Sequence, residues 1–128
     1  MATQITHGIK VSVEVFFQPE YSRPEKGRNV FSYRITIENQ SSKTVQLLRR
    51  HWQIFDSIGQ KREVEGEGVI GEQPIIAPGS THQYTSWCPL LSDMGSMRGT
   101  YLMVSQDDGE RFRVRIPEFM LIAPERQN

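Results

Sequence analysis

Apolar side chains recur at every second position through long stretches of this chain, and no window shows sustained helical spacing. From Ile9 to Phe16, Ile9, Val11, Val13 and Val15 fall on one side and Lys10, Ser12, Glu14 and Phe16 on the other, which is the pattern of a strand with one face buried. Val30–Asn39 repeats it with Phe31, Tyr33, Ile35 and Ile37 on one face, and a third strand is predicted over Val45–Asp56. Shorter strands are predicted at Arg62–Glu65, His82–Trp87, Thr100–Gln106 and Arg111–Ile116. Turn signals separate them: Asn39-Gln40-Ser41-Ser42, Ser57–Gly59, Ala77-Pro78-Gly79-Ser80 and Asp107-Asp108-Gly109-Glu110. In the third of these, proline presets φ at one corner and glycine accepts positive φ at the next. Gln18–Asn29, with Pro19, Pro24 and Gly27, reads as a loop. About seven antiparallel strands with hairpin-sized connections predict an all-β chain folded as a two-sheet sandwich.

Two local patterns narrow the architecture. Trp52 shares its parity in the third strand with Leu48 and Ile54, where immunoglobulin-like domains place a core tryptophan against the opposite sheet. Gly99-Thr100-Tyr101-Leu102-Met103 has the spacing of the sixth strand of such domains, with Met103 where a secreted domain carries a disulfide cysteine. Tyr101 is then expected to be a tyrosine corner, its hydroxyl bonded to a backbone group of the preceding loop. The expected fold is an immunoglobulin/fibronectin type III-like β-sandwich.

Length and charge bound the function. At 128 residues the chain has the size of one domain, so 1–128 is read as a single unit with an ordered core over roughly residues 5–124. Fifteen basic residues balance fifteen acidic ones, leaving no global field that would draw the molecule to nucleic acid or an anionic membrane. Nucleic acid and membrane are therefore not expected partners. Met1-Ala2-Thr3-Gln4-Ile5 lacks the basic and apolar regions of a signal peptide, and no apolar run approaches the roughly 20 residues that span a bilayer. The single cysteine, Cys88, excludes an internal disulfide and the usual thiolate zinc sites. A reducing cytoplasm is the expected compartment, and Asn39-Gln40-Ser41 is a polar turn there.

Several blocks in fixed order carry a family resemblance: Arg50-His51-Trp52-Gln53-Ile54-Phe55-Asp56-Ser57-Ile58-Gly59, Val64-Glu65-Gly66-Glu67-Gly68-Val69-Ile70-Gly71-Glu72-Gln73-Pro74, Ala77-Pro78-Gly79, Tyr84-Thr85-Ser86, Gly95-Ser96-Met97-Arg98-Gly99-Thr100-Tyr101 and Phe112-Arg113-Val114-Arg115-Ile116-Pro117-Glu118-Phe119. Together, over nearly the whole chain, they resemble the ApaG family. The resemblance implies a fibronectin type III-like sandwich, free-standing in bacteria and recurring as a module in eukaryotic F-box and polymerase-interacting proteins. It also implies a genetic association with diadenosine tetraphosphate metabolism and with cobalt and magnesium tolerance. The chain departs from the family pattern at Trp87, where a glycine is expected.

Candidate chemistry is sparse. Gly66-Glu67-Gly68-Val69-Ile70-Gly71 matches the dinucleotide fingerprint formally, but that mechanism needs a helix after the loop and a parallel βαβ unit around it, and Gln73-Pro74 interrupts the chain. The glycines are expected to permit positive φ or close backbone approach; the alternative is a nest of N–H groups holding a phosphate. Arg50 falls on the face of Trp52 and Ile54, so either Glu67 or Glu65 pairs with it or it snorkels to water from the end of the sheet. Arg50, Gly66, Glu67, Gly68 and Gly71 make the ligand-binding candidate, a nucleoside polyphosphate being the ligand considered. His7, His51 and His82 are too scattered for a metal site, and Ser86, Cys88 and Asp56 show no nucleophile and base at useful spacing. No cofactor, metal site or catalytic activity is expected.

The leading expectation is a non-catalytic binding module that takes a protein partner, or a second copy of itself, on the outward face of the third, sixth and seventh strands. Alternation places Leu47, Arg49, His51 and Phe55 there, with Val45 and Gln53, beside Leu102 and Val104 and a ladder of Arg111, Arg113 and Arg115. An apolar centre bordered by arginines has the composition of a contact patch. The other reading is that Phe119–Ile122 or the first loop folds over Leu102 and Val104.

Overall fold

The computed structural model of the chain describes residues 1–124. Two antiparallel sheets pack face to face. The first has the order β1-β2-β3-β7, from Ala2–Thr6, Ile9–Phe17, Asn29–Asn39 and Thr81–Leu90. The second has the order β5-β4-β8-β9, with β4 at Val45–Asp56, β5 at Lys61–Glu67, β8 at Met94–Ser105 and β9 at Arg111–Ile122; the two-residue β6, Ile75–Ile76, pairs with the start of β4. The all-β sandwich expected from alternation is the fold observed.

Each strand contributes one apolar parity to the core. Ile9, Val11 and Val13 of β2 and Phe31, Tyr33, Ile35 and Ile37 of β3 meet Leu47, Trp52 and Ile54 of β4, Tyr101 and Met103 of β8 and Val114 of β9, all buried. Trp52 lies edge-on to Tyr33 of the opposite sheet at 5.5 Å and to Phe119 at 5.9 Å, an arrangement that adds quadrupole attraction to area burial. Tyr101 is fully buried, but its hydroxyl meets the Tyr84 hydroxyl of the other sheet at 2.5 Å. The expected bond to a loop backbone is thus replaced by a bridge between the sheets. Asn39 is also interior: its amide donates to Lys43 O and Ile76 O, and its oxygen accepts from Ser41.

Two strands escaped the pattern. β1 carries little alternation, since its one large apolar residue, Ile5, is exposed. It is held by a two-residue turn, His7-Gly8, with both φ positive, a geometry usually announced by Asn-Gly. β6 is too short for periodicity to register.

A β-bulge decides the facing of β4. The register against β8 runs Leu47↔Met103 and then Arg49↔Leu102, leaving Leu48 unpaired. An extra residue reverses the parity of everything before it. Val45 and Leu47, expected on the outer face, consequently point into the core, 1 % and 0 % exposed, and Leu47 is withdrawn from the partner surface.

Candidate functional site

The glycine loop is tied to the bulge. Leu48 O accepts from Gly68 N at 2.8 Å and from Gln73 Nε2 at 3.0 Å. Val69 and Glu72 exchange backbone bonds at 2.8 and 3.0 Å around a tight turn whose central residues, Ile70 and Gly71, both have positive φ. Three of the amides here, those of residues 68, 69 and 72, therefore donate within the chain. Gly68 has φ +63°, and a Cβ on it would lie 2.1 Å from Glu72 O. Both backbone conformation and space demand glycine there.

Arg50 emerges from β4 on the inner side, half-buried, directly across from Gly66 in the β4–β5 register. A Cβ at Gly66 would sit 2.9 Å from both terminal nitrogens of the guanidinium, so the glycine leaves the space that the arginine occupies. Arg50 Nη1 donates to Glu67 O and Gly68 O, each at 3.0 Å. The partner is the main chain of the loop; the carboxylates of Glu67 and Glu65 make no ion pair with it among the described residues. Nor does Arg50 snorkel away from the protein: it pins the loop. The structure thus gathers Arg50, Gly66, Glu67 and Gly68 at one point, while Gly71 is exposed at the turn tip.

Beside Arg50 the outer strands of the two sheets, β7 and β5, diverge around a cleft of about 370 Å³. Arg62 reaches across it, donating from Nη2 to Pro89 O at 2.8 Å, with Cys88 Sγ at 3.7 Å. Trp87 stands at the rim, half-exposed and edge-on to Tyr21 of the first loop at 5.2 Å. Burial pushes the Tyr33, Tyr84 and Tyr101 hydroxyls and the Cys88 thiol upward, with nearby Arg50 or Arg62 opposing. At neutral pH all four are uncharged, and Cys88 lacks the thiolate character of a nucleophile. Arg62, Tyr84 and Trp87 were not site candidates in the sequence, because nothing local signals that β7 and β5 flank one opening.

The opposite face of the second sheet carries the other candidate. Registers align Glu67, Arg49, Leu102 and Arg113 in one row across β5, β4, β8 and β9, and Glu65, His51, Thr100 and Arg115 in the next. Val104 stands across from Arg111, and Phe55 is half-buried beneath Lys61 and Arg98. Leu102, Val104 and His51 are half-buried; Arg49, Arg111, Arg113 and Arg115 are exposed and form no ion pair among the described residues. Phe119 and Leu121 turn into the core and the first loop lies against the other sheet, so neither covers Leu102 and Val104. His51 Nε2 is buried without a hydrogen bond, 3.6 Å from Glu63 and 3.5 Å from Glu65, a carboxylate neighbourhood that the linear sequence did not reveal. Among the described residues no group of three or more His, Cys, Asp and Glu could hold a metal ion, and no helix is long and apolar enough to cross a membrane.

The ApaG domain model matches residues 19–105. The chain belongs to the ApaG family. The Protein ApaG of Brucella suis is 48% identical over 127 residues, 99% of this chain and 97% of that one, and the Protein ApaG of Brucella anthropi is 49% identical over the same shares. The crystal structure of an ApaA protein from Bordetella pertussis superposes with TM-score 0.87 at 45% identity, covering 91% of this chain and 94% of that one. A second X-ray structure, 43% identical and covering 91% and 88%, gives 0.85. Family membership thus rests on most of the chain, including β4, the glycine loop and β8.

Proposed function

We propose that this ApaG-family chain is a non-catalytic binding module that docks a protein partner on the outer face of β4, β8 and β9, the partner presenting acidic groups to the arginines. The observation that carries the reading is the row Arg49–Leu102–Arg113, a half-buried leucine held between two exposed guanidinium groups that form no ion pair among the described residues, although Glu67 stands across from Arg49. Arg111, Arg113 and Arg115 follow at two-residue spacing on one strand face, roughly 7 Å apart. Their mutual repulsion is relieved when carboxylates arrive, and arginine matches carboxylate geometry with two parallel hydrogen bonds. The polyphosphate alternative draws less support, because the loop amides that would cradle phosphate are largely used inside the chain.

A photo-crosslinking residue at Thr100, on this face, should capture the partner in cells, and Leu102→Glu should abolish capture while leaving unfolding free energy within about 0.5 kcal/mol, as for a surface position. Capture no greater than from the same residue at Thr85, exposed on β7, would rule the face out. A destabilised Leu102→Glu chain would instead assign Leu102 to the fold.

A further inference from the structure

A guanidinium carries five donors, and two such groups, half-buried Arg50 and exposed Arg62, line the cleft between β7 and β5 with donors to spare. Among the described residues Arg50 donates from Nη1 alone, to Glu67 O and Gly68 O, and Arg62 from Nη2 alone, to Pro89 O and Cys88 Sγ. Neither has a carboxylate within ion-pair distance among the described residues. The remaining nitrogens of Arg50 are not sealed from solvent, and the residue lines the cleft. Glu67 is the one acidic residue along its lining, and it offers Arg50 its carbonyl. Apolar walls around two like charges concentrate positive potential inside. The volume, about 370 Å³, lies within the roughly 300–1,000 Å³ of small-molecule pockets.

We infer that this cleft is a binding site for a small organic carboxylate with an apolar body, its carboxylate drawn in by Arg50 and Arg62, which both line the cleft, and its body over Trp52 and Val69, with Trp87 at the entrance. The shape of the donor set favours carboxylate over phosphate. Planar guanidinium forks satisfy two oxygens of one planar group, whereas a phosphate needs further donors around a tetrahedron. The backbone amides nearest to hand, at residues 68, 69 and 72, already donate within the chain. Apolar side chains lining the floor, Trp52, Ile54 and Met97 among them, reward burial of hydrocarbon and give a bare inorganic anion nothing to touch. The site is independent of the outer face: it lies on the opposite side of β4, and its occupancy neither requires nor reports a protein partner.

The test is a titration of the ¹⁵N-labelled chain with phenylacetate and hexanoate, and separately with inorganic phosphate, following the Trp87 indole N–H and the Arg50 Nε–H. Saturable shifts of both signals with at least one carboxylate, and at least tenfold weaker binding in Arg62→Gln, are expected; Lys10→Gln on β2, away from the cleft, should leave the affinity unchanged within twofold. Arg62 is exposed at the edge of β5, so its replacement leaves the core intact even if Arg50→Gln loosens the loop, and the wild-type Arg50 signal locates the ligand without any variant. No saturable shift with either carboxylate, phosphate binding as tightly at the same two signals, or an Arg62→Gln affinity within twofold of wild type would each overturn the proposal.

Discussion

Arg49 and Arg50 are adjacent in the chain and lie on opposite faces of β4, and the contrast between their surroundings organises the molecule. Arg50 faces inward, wedged against Gly66, with its hydrogen bonds fixed on two carbonyls of the glycine loop. Arg49 faces outward, exposed beside Leu102, with no ion pair among the described residues. The inner arginine is part of how the loop is held. The outer one adds little to stability, because a solvated cation at a strand surface gains almost nothing from folding. On the inner side two of the guanidinium's bonds define the shape of the loop; on the outer side none is committed to an ion pair among the described residues.

The sharpest way to break that contrast is at Gly68, on which the loop geometry depends. Gly68→Val places a β-branched residue at φ +63° with its Cβ against Glu72 O, and a loss of about 3 kcal/mol or more is expected by urea denaturation. A variant that melts like the parent would show that the loop readily adopts another path. Next in size is the arginine pair itself. Arg50→Met strips two backbone carbonyls of their donor and should cost about 1–3 kcal/mol, whereas Arg49→Met should stay within about 0.5 kcal/mol. Equal costs would mean that Arg50 does not pin the loop.

The smallest effect concerns an exposed pair on the loop side of the molecule. Asp108 accepts from Lys43 Nζ at 2.8 Å and from Glu110 N at 2.9 Å, and the Lys43 bond, then the backbone bond, holds its carboxyl down to about 2. A depressed carboxyl contributes stability that is present above its ordinary value near 3.8 and fades as pH falls toward 2. A carbon-detected titration should place the Asp108 midpoint near 2 and return it toward 3.8 in Lys43→Ala, with a loss of melting temperature at neutral pH that is smaller than that of Arg50→Met. A neutral-pH melting loss comparable to that of Arg50→Met would contradict the view that exposed charges here carry little of the fold.

Reading the chain as period-two segments was enough to find β2, β3, β4, β7, β8 and β9, and with them the core roles of Trp52, Tyr101 and Met103. Strand formation with one buried face is a local property, written in successive side chains. The arginine ladder was legible for the same reason: Arg111, Arg113 and Arg115 alternate with Phe112, Val114 and Ile116, so burying one set exposes the other. What lay outside the sequence was everything set by a partner strand. The bulge at Leu48 exists only against β8 and the glycine loop, yet it reverses Val45 and Leu47. The acceptors of Arg50 are carbonyls whose direction is a matter of loop path, invisible in residue identities. Tyr84 reaches Tyr101, and Arg62 reaches Pro89, because two sheets distant in sequence close on each other along one side and part along another. Alternation fixes which face a side chain takes within its own strand; hydrogen-bond register between strands and the spacing between sheets are non-local, and only the folded chain sets them.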